Sequence, residues 1–157
     1  MASLANNAVD SAHGTIRLLS VLALTDEYTV YEDRSALGVE HLRLEVFREG
    51  DAIMRCGDRE ANGAFIASHI ERLDPSDFVI VKGHVVGNSP DAGEFEVLGI
   101  RVNLSDQTAA HGISGELVPP TTFIEQLSAD QITVSAKGYL VGESPYTMDA
   151  HGAWIRK

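Results

Sequence analysis

Apolar and polar residues alternate with a period of two along most of this chain, which is the pattern of half-buried β-strands. β-Branched residues are frequent in these runs, and glycine-containing turns separate many of them. The alternating runs are GTIRLLSVLAL (14–24), EYTVYE (27–32), HLRLEVF (41–47), DAIMRCG (51–57), GAFIASHIERL (63–73), DFVIVKGHVVG (77–87), EFEVLGIRVNL (94–104), QITVSAKGYLVG (131–142) and YTMDAHGAWIRK (146–157). The pattern predicts a mainly β protein.

One segment has a helical pattern instead. In TTFIEQLS (121–128), Phe123, Ile124 and Leu127 fall on one face of a helix. Thr122 and Glu125 have the spacing of a capping box, which satisfies free backbone N–H groups at a helix start. The sequence therefore predicts one short helix between strands.

The alternation changes parity once within the run 94–104, at Leu98 and Gly99. A two-residue hairpin turn explains the change, with Val97 facing Ile100 across it and glycine supplying a positive φ without steric cost. Both arms then present their apolar residues on the same face. A bulge within one longer strand is the alternative.

The two halves of the chain share a similar order of segments, which predicts an internal repeat. Gly14 and Gly83 each open a strand, and an acidic residue followed by an aromatic one comes later at Glu27-Tyr28 and Glu94-Phe95. The segment GAFIASHIERL (63–73) likewise corresponds to YTMDAHGAWIRK (146–157).

A second alignment assigns side chains to the core. FREGDAIMRCG (47–57) aligns with LSADQITVSAK (127–137). Apolar residues in this register form one inward face in each copy: Ala52, Met54 and Cys56 in the first, Ile132, Val134 and Ala136 in the second. The resulting organisation is an N-terminal tail (1–13), a first unit (14–73), a joint with the sequence DPSD (74–77) and a second unit (78–157).

These features resemble a family of bacterial exported proteins built from tandem small β-barrels of the OB-like kind, a domain family of unknown function. The residues that carry the resemblance are Gly83-His84-Val85, the hairpin from Phe95 to Val102, Thr108, the segment from Leu127 to Val134, and a small residue in the closing strand, Ala150 or Ala67. The second unit matches over nearly its whole length, and the first matches well from Phe47 onward. The segment DRSALGVEHL replaces the central hairpin of the first unit, so its barrel is expected to be incomplete or altered.

The resemblance implies an all-β fold of two tandem OB-like barrels, with one short helix in the second. It also implies a periplasmic or extracellular location, with a cytoplasmic one as the alternative. The start MASLANNAVDS lacks a signal pattern, so either the protein is not exported or a signal has been replaced by an initiating Met. The family has no established activity, so the resemblance implies no catalytic residues.

Composition narrows the classes of partner. The net charge is −11, from 23 acidic and 12 basic residues, which disfavours nucleic acid and anionic membranes as partners. Cys56 is the only cysteine, so no internal disulfide forms. No apolar run reaches the roughly 18 residues that span a membrane.

Motifs for catalysis and for metal binding are absent. No G-x-S-x-G, P-loop or EF-hand motif occurs, and Cys56 at an inward position would be inert. The histidines are scattered, without H-x-H or H-x-x-x-H spacing: His13, His41, His69, His84, His111 and His151. The sequence predicts no catalytic residue, no metal site and no cofactor.

Three residues are candidates for ligand binding: Tyr28, Arg101 and Trp154. Tyr28 and Arg101 could line a barrel face of the kind that binds oligonucleotides or sugars in OB folds. Trp154, the only tryptophan, either closes a barrel mouth or stacks on a ligand.

The predicted function is a non-catalytic binding or assembly module that recognises a protein partner or a second copy of itself. The two-sided apolar run LLSVLAL (18–24) favours packing beyond one small barrel. The alternative is an OB-fold protein that binds nucleic acid or carbohydrate on one barrel face, and an enzyme of unknown class is the third possibility.

Overall fold

The computed structural model describes residues 3–4, 7–19, 21–48, 50–60, 64–127, 132–143 and 145–156. The chain divides into two units, Met1–Asp77 and Phe78–Lys157. Both consist mainly of antiparallel strands, which confirms the predicted all-β fold of two tandem small OB-like barrels.

The second unit is a closed five-stranded barrel with one helix. Its elements are β8 (Val79–Ser89), β9 (Glu94–Val97), β10 (Ile100–Asn103), β11 (Ala109–His111), α1 (Pro120–Gln126), β12 (Thr133–Glu143) and β13 (Tyr146–Arg156). The strands pair in the order β10-β9-β8-β12-β13, and a parallel pairing of β10 with β13 closes the circle. Closure removes exposed sheet edges, and the helix between the third and fourth barrel strands is the OB-like arrangement.

The first unit is a curled sheet with the same strand connections. Its elements are β1 (Ser3–Leu4), β2 (Asn7–Asp10), β3 (Thr15–Leu18), β4 (Val21–Leu24), β5 (Val30–Asp33), a 3₁₀ helix (Leu44–Val46), β6 (Ala52–Arg59) and β7 (Phe65–Leu73). The sheet path runs β1-β6-β7-β4-β3-β2, so its two ends, β1 and β2, are neighbouring pieces of chain. Within the segment 1–13, which was predicted to be an N-terminal tail, residues 7–10 form a strand that pairs with β3.

Tight hairpins explain the change of parity in both units. Val97 pairs with Ile100, and Leu98 and Gly99 both have positive φ, 55° and 74°. Two successive positive φ angles are the signature of a type I′ turn, so the predicted hairpin is confirmed. The run 14–24 contains an equivalent hairpin, β3–β4, with Leu19 at φ 53°. It was wrongly predicted as a single strand, and the central hairpin of the first unit is present rather than replaced.

Matching hydrogen bonds identify the true repeat. The hydroxyl of Thr29 donates to the Ala67 carbonyl at 2.7 Å, and that of Thr108 donates to the Ala150 carbonyl at 2.7 Å. Each threonine follows its hairpin by the same interval, so β3–β4 corresponds to β9–β10. The predicted correspondence of Gly14 with Gly83 is therefore wrong.

Two bulges complete the correspondence. A Cβ on Gly57 or Gly138 would lie 2.0 Å from a carbonyl oxygen of the paired strand, that of Ile66 or Asp149. The strand register shifts at both glycines. Gly57 thus corresponds to Gly138, one position away from the predicted alignment.

A one-residue shift exchanges the faces of a strand, because side chains alternate from one face to the other. Arg55 therefore takes the inward position that Ala136 has in the second unit, and it is 3% exposed. Cys56, predicted to be inward, is exposed.

The predicted helix is present, but its capping is different. It begins at Pro120, after Pro119 as N-cap residue, and no side chain caps it. Proline suits the first helical position because its missing N–H would be unpaired there in any case. Phe123, Ile124 and Leu127 are buried, as the apolar stripe predicts.

None of the helices formed by the described residues has the length and apolar character to cross a membrane.

Candidate functional site

The two units differ where the chain connects the third barrel strand to the fourth. In the second unit, α1 covers this end: Phe123 packs on Phe95 at 6.0 Å between ring centroids, and the Asn88 side chain donates to the Ile124 carbonyl. In the first unit, the corresponding helix is a 3₁₀ helix of only three residues, with Leu44 as its only buried residue. The shorter cover leaves a groove at this end of the first unit.

The groove has a volume of about 730 Å³ and a largely polar lining. Three segments form it: the β2–β3 turn, the segment that follows β4, and the loop that enters the 3₁₀ helix. The lining residues are Ser11, Gly14, Thr25, Asp26, Glu27, Thr29, Tyr31, His41, Leu42, Arg43, Leu44 and Glu45.

Hydrogen bonds fix the floor of the groove. Thr25 donates from both its backbone N–H and its hydroxyl to the Gly14 carbonyl, at 2.7 and 2.8 Å. The Asp26 carboxylate accepts the backbone N–H of Tyr28 at 2.9 Å. The hydroxyl of Thr29, a residue that is 8% exposed, donates to the Ala67 carbonyl of β7. These bonds join the turns to the sheet.

The loop on the other side of the groove is anchored in the core. Leu42 and Leu44 are each 5% exposed, and the side chains between and beside them point outward. His41 has a φ of 58°, which is unfavourable for a residue with a Cβ. Packing of the two leucines holds this strained backbone in place.

Charged side chains at the groove are free to meet a ligand. Glu27, Arg43 and Glu45 are exposed. Among the described residues, none of these three side chains has a hydrogen bond or an ion pair.

A buried ion pair supports the strand behind the groove. Arg72 donates to the Asp33 carboxylate, and the two side chains are 6% and 1% exposed. The same carboxylate accepts N–H groups of Ser35 and Val39, at 2.9 and 2.8 Å. Arg72 and these donors hold the pKa of Asp33 far below its usual value, and Asp33 raises the pKa of Arg72.

Arg55 is a second buried cation, and among the described residues it has no ion-pair partner. Its guanidinium lies 4.8 Å from the centroid of the Phe65 ring, and its Nη1 has no hydrogen-bond partner. Burial lowers the pKa of Arg55 to about 10. Below about pH 10, Arg55 is charged in both the folded and the unfolded state, and its burial then lowers the free energy of unfolding.

Replacement of Arg55 with methionine is therefore expected to raise the free energy of unfolding of the first unit by about 1–3 kcal/mol, because the packing volume is kept and an unpaired buried charge is removed. Urea denaturation followed by far-UV circular dichroism measures this. Arg17→Met, at an exposed position on β3, is the control and should change stability by less than about 0.5 kcal/mol. A less stable R55M protein would contradict a net cost of the buried charge.

A charged cluster lies on the outer face of β5 and β7. Glu32 pairs directly with Glu71 across the parallel strands, and His69 precedes Glu71 by two positions. The Nε2 atom of His69 is 3.5 Å from a carboxylate oxygen of Glu32 and 3.5 Å from one of Glu71. Arg34 contacts both carboxylates, at 3.0 Å for Glu32 and 3.7 Å for Glu71. The Arg34 contact lowers the pKa of Glu32.

Of the three predicted ligand-binding residues, Tyr28 lies in the first unit, and Arg101 and Trp154 lie apart from each other in the second. Tyr28 is 79% exposed in a turn of the first unit, next to the groove residues Glu27 and Thr29. Arg101 is exposed on β10 and lies 3.7 Å from Glu94. Because Arg101 pairs with Thr147, Trp154 lies seven positions further along β13, roughly 20 Å away at the rise of a strand.

Trp154 packs within its own sheet. Its indole stacks on the His111 ring, with centroids 5.7 Å apart and planes 10° apart. The same indole covers Gly152, where a Cβ would lie 2.4 Å from the ring. Trp154 therefore has a structural role, because its indole packs on residues of β11 and β13.

Sequence reasoning missed the groove and the charged cluster. The segment 26–33 has four acidic residues but no motif of a site, yet the Asp33 side chain is buried and Glu32 faces His69. The alternation His69-x-Glu71 was an available signal, because residues two apart in a strand share a face. Only the parallel pairing of β5 with β7 adds Glu32 to that pair.

Comparisons of the chain with protein families, with curated proteins and with solved structures find no match.

Proposed function

We propose that this protein is a non-catalytic binding module whose first unit holds an uncharged, polyhydroxylated ligand, an oligosaccharide, in the groove beside the 3₁₀ helix. The observation that carries the proposal is the set of unpaired polar side chains around that groove. As the family resemblance implies, we place the module in the cell envelope or outside the cell.

The polarity of the groove favours a sugar. Carboxylates of Glu27 and Glu45 accept hydrogen bonds from hydroxyl groups, and Arg43 donates them. Tyr31 and the neighbouring Tyr28 supply aromatic rings, and OB folds bind oligosaccharides at loops and strand faces. The anchored floor means that little ordering is needed on binding, which favours affinity.

Charge argues against nucleic acid, the alternative ligand. Asp26, Glu27 and Glu45 outnumber the one arginine of the groove and would repel phosphates. On the second unit, the outward residues of β9 and β10 are Glu94, Glu96, Arg101 and Asn103, with no aromatic ring for base stacking.

The proposal predicts chemical-shift changes at residues 25–31 and 41–45 when neutral cello-, xylo-, manno- or chito-oligosaccharides are added to ¹⁵N-labelled protein. Arg43→Ala should weaken the binding about tenfold, because a charge-assisted hydrogen bond is lost. Arg17→Ala is the matched control and should leave it unchanged.

Two other results would contradict the proposal. Salt-sensitive binding of labelled single-stranded DNA, with no response to any saccharide, would favour the nucleic-acid alternative. A molar mass from light scattering that rises with protein concentration, again without a saccharide response, would favour self-association. The outward Leu22 and Leu24 of β4, 43% and 38% exposed, would then be the first surface to test.

A further inference from the structure

The charged cluster on β5 and β7 has the composition of a metal site. One ligand atom each from Glu32, His69 and Glu71 lies within 4.8 Å of the others. Imidazole nitrogen and carboxylate oxygen are ligands that Zn²⁺ accepts together. The cluster is separate from the groove, because Tyr31 lines the groove whereas Glu32, the next residue of β5, faces His69.

The spacing of the ligand atoms suits an ion better than a hydrogen bond. The His69 Nε2 atom is buried, and no hydrogen-bond partner satisfies it among the described residues. It lies 3.5 Å from each of two carboxylate oxygens, beyond the usual N–H···O range of about 2.7–3.2 Å. In a tetrahedral site with bonds of about 2.1 Å, neighbouring ligand atoms are about 3.4 Å apart.

The fold itself does not require these charges. The corresponding positions of the second unit are His111, Gly152 and Trp154, and there an imidazole stacks on an indole. Glu71 is 6% exposed in the place that Trp154 occupies in the repeat. A buried carboxylate is costly without a compensating cation. The Glu71 carboxylate therefore needs a cation beside it.

Arg34 is the cation now beside the cluster, and it can move away. Its side chain is 57% exposed; it contacts the partly exposed Glu32 carboxylate at 3.0 Å, but its closest approach to Glu71 is 3.7 Å, too long for a hydrogen bond. Two carboxylates and a neutral imidazole balance the charge of a divalent ion. Imidazole as a ligand favours zinc and related transition metals over Mg²⁺ and Ca²⁺.

We propose that Glu32, His69 and Glu71 bind one divalent transition-metal ion, best matched by Zn²⁺, through one oxygen of each glutamate and Nε2 of the histidine. A water molecule completes the tetrahedron, and Arg34 swings towards solvent when the ion binds. The site joins β5 to β7 and therefore ties the chain around the groove to the closing strand.

Isothermal titration of the tag-free protein with ZnCl₂ tests the proposal, with cobalt(II) absorption as a second readout of tetrahedral geometry. We expect one ion per chain. His69→Gln and Glu71→Gln should each weaken binding about tenfold or more. Arg34→Gln should strengthen binding several-fold, because it removes the competing cation. Far-UV circular dichroism with urea denaturation confirms that each variant is folded.

Controls separate this site from other ligands. His111→Gln removes the histidine at the position of the repeat that corresponds to Glu32, and Cys56→Ser removes the exposed thiol opposite His69 in the β6–β7 register. Both should bind Zn²⁺ as the unmodified protein does. The proposal is overturned if H69Q and E71Q retain full affinity, if R34Q weakens binding, or if C56S abolishes it.

Discussion

Replacement of Asp33 with asparagine is expected to lower the free energy of unfolding of the first unit by about 3 kcal/mol or more. The reason is that Arg72 stays buried without its charged partner, and loss of one member of a buried pair costs about 3–5 kcal/mol. Asparagine has nearly the same size, so the loss reports the charge rather than a cavity. Its oxygen can still accept one backbone N–H, from Ser35 or Val39.

Urea denaturation followed by far-UV circular dichroism measures this loss. Asp58→Asn, an exposed position on β6 of the same unit, is the control and should change stability by less than about 0.5 kcal/mol. A D33N protein as stable as D58N would contradict the structural role of the pair. The double variant D33N/R72M should recover part of the loss, because it removes both charges.

The effect of D33N should also depend on pH. The folded-state pKa of Asp33 is lowered, so the carboxylate contributes its full stabilisation above the unfolded-state value of about 4. As the pH falls below that value, the unfolded state takes up a proton first. The difference between the unmodified protein and D33N should therefore shrink by about 1.4 kcal/mol for each pH unit.

Gly138→Ala is expected to destabilise the second unit by about 3 kcal/mol, in the range of severe single substitutions. The new Cβ would lie 2.0 Å from the Asp149 carbonyl oxygen and 2.8 Å from the Cα of Ala150. Both are backbone atoms of β13, so β12 must move away and the bulge opens. The Thr108 hydrogen bond to Ala150 is then disturbed as well.

Trp154 fluorescence reports on this transition, because the only tryptophan lies on β13. Gly87→Ala is the matched control: it lies on β8 of the same barrel, and a Cβ there would meet nothing within 4 Å. We expect G87A to change stability by less than about 0.5 kcal/mol.

Gly57→Ala should weaken the first unit as G138A weakens the second, since its Cβ would also lie 2.0 Å from a carbonyl oxygen. If G138A and G87A are equally stable, the bulge does not require glycine.

Local sequence patterns predicted most of the strands, the hairpin at Leu98-Gly99 and the short helix, but the run 41–47 contains a 3₁₀ helix instead of a strand. These features are set by local physics: alternation of side chains, the positive φ of tight turns, and an apolar stripe of helical period. The same local signals indicated two related units, because the closing strands 63–73 and 146–157 have similar patterns, although the hairpin of the first unit was missed. Local patterns did not reveal the strand formed by residues 7–10, which gains its order from pairing with β3.

Which side chains face the core and which contact each other depends on how distant strands pair. The shared bulge aligns Gly57 with Gly138, one residue away from the alignment that the sequence suggests, and one residue exchanges the faces of a strand, so Arg55 is buried and Cys56 exposed. The groove exists because a 3₁₀ helix of three residues takes the place of α1. Glu32 meets His69 because β5 and β7 pair in parallel, although the 3₁₀ helix and β6 lie between them in the sequence. Contacts of this kind depend on register between distant strands, and no single segment of sequence encodes that register.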